Sequence, residues 1–150
     1  MNTVRQLAAI LAFATGAGTA GVAGTDPIPW MTNETEAMEE SLATNRPVLM
    51  FFTGSDWCVW SQKMEDEIFN TREFAVFAKD HLVLLKLEFP RSYQLPEAQI
   101  KHNRALQKKY DISGYPAIVV TDNQGRIIGR LSYRDGGPQP FLGELSKMIE

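Results

Sequence analysis

One cysteine stands in the chain, Cys58, inside the run Asp56-Trp57-Cys58-Val59-Trp60-Ser61. A thiol is a nucleophile only as its thiolate, so its surroundings decide whether it reacts or merely packs. The turn-forming residues 53–57, Thr-Gly-Ser-Asp-Trp, precede it, and Met64 and Ile68 recur after it at helical spacing, so Cys58 is expected at the start of a helix over residues 58–70. Unpaired backbone N–H groups and the positive end of the helix dipole face such a position, and both favour the thiolate. The chemistry that follows is exchange with a disulfide. The residues alone leave a second reading open, an inert cysteine buried beneath Trp57 and Trp60.

Other constellations carry less. His81 and His102 stand alone, and with one cysteine there is no spacing that would hold zinc or haem iron, so neither a metal nor a cofactor is expected. Glu39 with Glu40 and Glu65 with Glu67 read as solvated helix faces rather than acid–base pairs. The formal charge of −3, with no block of like charges, argues against nucleic acid as a partner.

The elements that must position Cys58 can be read from patterning. Asn33 and Glu36 resemble a capping box for a helix carrying Ala37, Met38 and Leu42, which stops before Asn45 and Pro47. Val48-Leu49-Met50-Phe51-Phe52 is apolar throughout, as in a strand buried on both faces. Thr71 can cap a short helix through Phe74 and Phe77, and residues 81–87 read as a second central strand. Pro96 suits the first turn of a helix to about Tyr110. Gly114-Tyr115-Pro116 leads into strand residues 117–120, and Asp122-Asn123-Gln124-Gly125 is the turn to strand residues 126–131. Phe141, Leu142, Leu145 and Ile149 then mark a final helix. The order is α-β-α-α-β-α-β-β-α. Strands separated by helices need crossovers and pair in parallel, whereas the last two must be antiparallel. The expected class is α/β, with a central mixed sheet of about four strands and helices on both faces.

The strand, turn and helix around Trp57-Cys58-Val59-Trp60-Ser61, with Gly114-Tyr115-Pro116 entering a later strand, resemble the thioredoxin superfamily, and most closely exported bacterial thioredoxin-like proteins with a W-C-x-W-C motif. The resemblance covers about residues 30–150 and implies a thioredoxin-like fold. It implies Cys58 as the nucleophile and Pro116 at the position of the family's cis-proline. Tyr115 would then supply the backbone that pairs with an extended client. Trp57 and Trp60 flank the thiol and are expected to form an exposed apolar rim, joined by Tyr115 in a client-binding reading, with Val59 also placed against the client. The family's second cysteine resolves the mixed disulfide formed by the first, and here that position is Ser61. A hydroxyl cannot form the disulfide, so Ser61 is limited to hydrogen bonding near the Cys58 sulfur. The family's buried carboxylate six residues before the nucleophile is replaced by Phe52. Lys86 is read as a strand residue that snorkels or pairs with Glu88.

Two functions remain open: monothiol thiol–disulfide exchange or isomerisation through Cys58, or a non-catalytic client-binding module of the same fold. The first needs client protein thiols or disulfides and a separate thiol reductant as partners.

The compartment bears on both. Residues 1–6 carry a positive charge at Arg5, residues 7–14 are apolar, and residues 15–24 are small and rich in glycine. That is the pattern of a signal peptide over residues 1–24, followed by a thioredoxin-like domain over 25–150. The apolar run is too short to span a bilayer, so no stable membrane insertion is expected after cleavage, and the protein should be periplasmic or extracellular. Intact-mass measurement of the protein from its native host should find an N-terminus just after Ala23 or Gly24. A chain still beginning at Met1 would contradict export.

Overall fold

The computed structural model describes residues 28–150. The signal-peptide reading of residues 1–24 therefore lies outside the described residues. From Glu34–Thr44 the chain forms α1, then β1 (Val48–Thr53), α2 (Val59–Met64), α3 (Arg72–His81), β2 (Val83–Glu88), α4 (Glu97–Lys109), β3 (Ala117–Thr121), β4 (Ile127–Leu131) and α5 (Pro138–Ile149). The four strands make one sheet in the order β2-β1-β3-β4. The pair β1 and β2 is parallel, and the other two pairs are antiparallel. The fold is thioredoxin-like, α/β with a four-stranded mixed sheet.

Why β1 is apolar from Val48 to Phe52 follows from its place in the sheet. Successive side chains point to opposite faces. Leu49 and Phe51 enter a core with Leu84, Ile118 and Val120 beneath α3 and α5. Val48, Met50 and Phe52 enter a second core with Leu85, Leu87 and Val119, closed by Ala37 of α1 and Leu106 of α4. All six residues of β1 are buried. Helices therefore cover both faces, and no polar alternation is tolerated in the central strand.

Local signals place most element ends. The Asn33 side chain accepts from the Glu36 N–H at 3.3 Å, one arm of the expected capping box. Thr71 accepts from the Phe74 N–H, also at 3.3 Å. Asn45 ends α1 in the left-handed region at φ 55°. Three expectations shift. Helix α3 runs through His81, held by the Leu82 N–H bonding the Ala78 carbonyl, so β2 begins at Val83 rather than at His81. Pro96 stands at the N-cap, one position before the first helical turn. The helix after Cys58 is not uniform either: α2 passes at Glu65–Phe69 into a π-helical turn, marked by the Asn70 N–H reaching the Glu65 carbonyl at 2.8 Å.

That widened turn delivers Phe69 into an aromatic cluster. Its ring centroid lies 4.8 Å from Phe51, 4.8 Å from Phe74, 5.2 Å from Trp30 and 5.7 Å from Phe141, mostly edge to face. Trp30 thus packs. The cluster ties the helix that starts at Cys58 to β1, α3 and α5. Phe69→Ala should therefore destabilise the fold by about 3–5 kcal/mol, with Phe69→Leu recovering much of the loss. Urea unfolding checks this, and a change below about 1 kcal/mol for the alanine variant would contradict the anchoring role.

Candidate active site

Strand register brings the thiol to its neighbours. Phe52 of β1 pairs with Ala117 at the start of β3. Beyond these partners the two chains continue past each other, β1 into the turn that leads to Cys58 and β3 back into Tyr115-Pro116. The Cys58 thiol consequently donates to the Tyr115 carbonyl at 3.7 Å, and the Tyr115–Pro116 peptide bond is cis. Cys58 is the N-cap of α2 with an extended backbone, its N–H bound to the Gly54 carbonyl at 2.7 Å and its carbonyl accepting from the Gln62 N–H at 3.0 Å. It keeps 8% of its surface exposed. The thiol is thus recessed, with α2 beginning at its own backbone.

The expected exposed rim divides. Val59 and Trp60 are exposed, at 64% and 54%. Trp57 is not a free rim residue: it is half-buried and fixed on every side. Its indole N–H donates to the Phe89 carbonyl at 2.8 Å, the Tyr115 ring meets it edge to face at 5.7 Å, and the Arg91 guanidinium lies over it at 3.5 Å from the ring centroid. The loop that supplies Phe89 and Arg91 is itself latched by Asp56. That carboxylate accepts from the Ser92 hydroxyl and N–H, both at 2.6 Å, and from the Arg91 N–H at 2.9 Å. The Ser92 hydroxyl first, then the Ser92 backbone, hold Asp56 below the usual carboxylate range against the cost of desolvation. Three residues absent from the expected site therefore shape it: Asp56 as a latch, Arg91 as a lid on Trp57, and Tyr133.

Trp60 leans on Tyr133, ring centroids 5.6 Å apart, and the Lys63 ammonium lies 5.3 Å and 5.5 Å from the two rings. The Tyr133 hydroxyl donates to Glu67, which, with desolvation, holds the phenol well above its ordinary range. Between these aromatics an open groove of about 420 Å³ runs past Trp60, Tyr115, Pro116, Ser132 and Tyr133. Nothing in the sequence around Arg91 or Tyr133 marked them, because both act through partners distant in the chain.

Ser61 bonds to the turn that also holds the Cys58 backbone. It is fully buried, and its hydroxyl accepts from the Gly54 N–H at 3.3 Å. No hydrogen bond joins it to the Cys58 sulfur among the described residues. The reason is geometric: the turn at Gly54 folds back under α2, so the buried backbone N–H captures the nearest oxygen. Phe52 is wholly buried beside Phe89 and Tyr110, so no carboxylate occupies that position. Lys86 pairs with Glu65 and, at 3.5 Å, with Glu88, while the Glu88 carboxylate also accepts from the Ser55 hydroxyl at 2.9 Å.

Residues 35–134 match the Thioredoxin-like domain family, and the chain belongs to it. The chain is 35% identical over 115 residues to the disulfide bond reductase DsbH of Chlamydia pneumoniae, a match covering 77% of this chain and 69% of that protein. Among solved structures, a DsbH oxidoreductase aligns with a TM-score of 0.78 and 34% identity over 81% of this chain and 84% of the other. A thioredoxin from Thermus thermophilus, at a TM-score of 0.60 and 20% identity over 79% of this chain and 85% of the other, shares the fold.

The fixed position of Trp57 depends on Gly54. A Cβ built there would fall within the Trp57 indole. Gly54→Ala should displace the ring, break its bond to Phe89 and cost about 1–3 kcal/mol. Trp57 fluorescence, isolated by comparison with Trp57→Phe, should shift to the red; an unchanged spectrum would show that the indole is not held as described.

Proposed function

We propose that the protein carries out thiol–disulfide exchange as a single-thiol protein, in the compartment to which its signal peptide would deliver it, the periplasm or the exterior. The juxtaposition of the Cys58 thiol with the carbonyl of Tyr115, a residue that also lines the groove along Pro116 and Trp60, carries this reading. The likeness to proteins named disulfide bond reductase and oxidoreductase supports it. So does the sequence pattern Trp57-Cys58-Val59-Trp60-Ser61, a W-C-x-W-C motif with serine in the last place.

The steps balance without any group beyond thiols. Cys58 gives its proton to solvent, and the thiolate attacks one sulfur of a client disulfide. That bond breaks, the other client sulfur leaves as thiolate, and Cys58 and the client are joined in a mixed disulfide. An extended client lying along Pro116 would offer its backbone to Tyr115, with Trp57, Val59 and Trp60 around the reacting sulfurs. Resolution must come from elsewhere, since Ser61 has no thiol to offer. If the freed client thiolate attacks, the original disulfide simply re-forms; if a different client cysteine attacks the client sulfur, Cys58 is regenerated and the client disulfide is rearranged with no net redox change. If an external thiol attacks Cys58, the client leaves reduced. A second external thiol then restores Cys58, and the external pair ends as its disulfide.

The recessed position of Cys58 beside exposed Val59 and Trp60 favours one further reading, a client-binding module that uses the rim without covalent chemistry. The two differ in what Cys58 does. Under the exchange reading, Cys58 is alkylated in the folded protein at neutral pH and forms persistent mixed disulfides, and Ser61→Cys raises reductase turnover by about tenfold or more, because an intramolecular thiol attacks at a high effective concentration. Resistance of Cys58 to alkylation, together with undiminished client binding in Cys58→Ala, would favour the module instead.

A further inference from the structure

Two arginines, Arg91 and Arg104, line the Trp57 side of the site. Arg91 lies over Trp57, 3.5 Å from the ring centroid, and Arg104 belongs to α4. Neither guanidinium makes an ion pair or a hydrogen bond among the described residues, unlike Arg46, Arg126 and Arg134, which all pair with carboxylates. A guanidinium stacked on an indole keeps its N–H donors in the plane of the stack, turned outward as a fork suited to a carboxylate.

Both arginines line one cleft of about 330 Å³, with Trp57, Phe89, Ile100 and Tyr115 among its other walls. Glu88 is the only carboxylate in that lining, and it is already engaged by Ser55 at 2.9 Å and Lys86 at 3.5 Å. The cleft thus joins apolar walls to two unpaired positive charges. It also adjoins the thiol: Trp57 directly precedes Cys58, and Tyr115 borders both this cleft and the groove along Pro116.

We propose that this cleft binds an acidic side chain of the client, carried a few residues from the client cysteine, and so selects which disulfides reach Cys58. The inference rests on the exchange reading, and names the client chemistry that reading leaves open. Extended chain rises about 3.3 Å per residue, so a residue two or three away from the reacting cysteine lies about 7–10 Å along the client.

The test uses cysteine peptides activated as disulfides with a chromogenic thiol, carrying glutamate, glutamine or lysine two and three residues to each side of the cysteine. Attack by Cys58 breaks the activated disulfide, releases the chromogenic thiolate and leaves the peptide joined to Cys58. At low salt the Glu peptide should be captured about fivefold faster than the Gln peptide, and the preference should fade in high salt. Arg104→Gln should weaken the preference and Arg104→Glu should turn it toward the Lys peptide; the cation over the Trp57 ring is Arg91, so these substitutions leave the stacked residue itself unaltered. Cys58→Ala reads the cleft alone, and should bind the Glu peptide more tightly than the Gln peptide by a similar factor. Equal capture of the Glu and Gln peptides by the unaltered protein would overturn the proposal and leave thiol exchange standing. Capture of neither peptide, with selective binding retained in Cys58→Ala, would remove the exchange reading and keep the cleft.

Discussion

The pairing of Phe52 with Ala117 is the constraint on which the site depends. Antiparallel strands side by side send their continuing chains past one another at the same end of the sheet. The turn after β1 and the Tyr115-Pro116 segment before β3 are therefore brought together, and the thiol meets a carbonyl from a residue 57 positions away. A slip of one residue would turn every β1 side chain to the opposite face, exchanging Phe51 and Phe52 between two differently shaped cores. The cores thus hold the register, and the register holds the site.

A second layer of order surrounds Trp57. Asp56 binds the loop after β2 through three donors, and that loop returns the Phe89 carbonyl and the Arg91 guanidinium to the adjacent indole. Because the loop follows β2 directly, the parallel pairing of β2 with β1 decides where it can land. The result is a wall that is fixed on the α4 side of Cys58 and open on the Trp60 side. One tryptophan forms part of the scaffold and the other faces solvent, although both flank the same cysteine.

Much of this was legible from residue order alone, for definite reasons. The unbroken apolar run of β1 announced burial on both faces, Asp122 to Gly125 announced the hairpin, and the turn before Cys58 announced a helix start. What escaped was set by distance or by small differences in period. A π turn at Glu65–Phe69 shifts the apolar spacing by less than two residues, Met64 and Ile68, can resolve. The end of α3 merges with β2 because Leu82 to Leu85 is apolar either way. Ser61 could be placed near the sulfur by sequence distance, but only the fold shows its hydroxyl committed to Gly54. Arg91 and Tyr133 act through partners more than thirty positions away in the chain, and no local pattern encodes such a contact.

The central claim is that Cys58 acts alone and that resolution must come from outside the domain. The most direct measurement follows the intact mass of the wild-type protein after mixing with one cysteine peptide in activated disulfide form and no added thiol. One peptide should become attached per chain, with one leaving thiolate released, and the adduct should persist until an external thiol is supplied. Absence of the adduct, or repeated turnover without added thiol, would contradict the account.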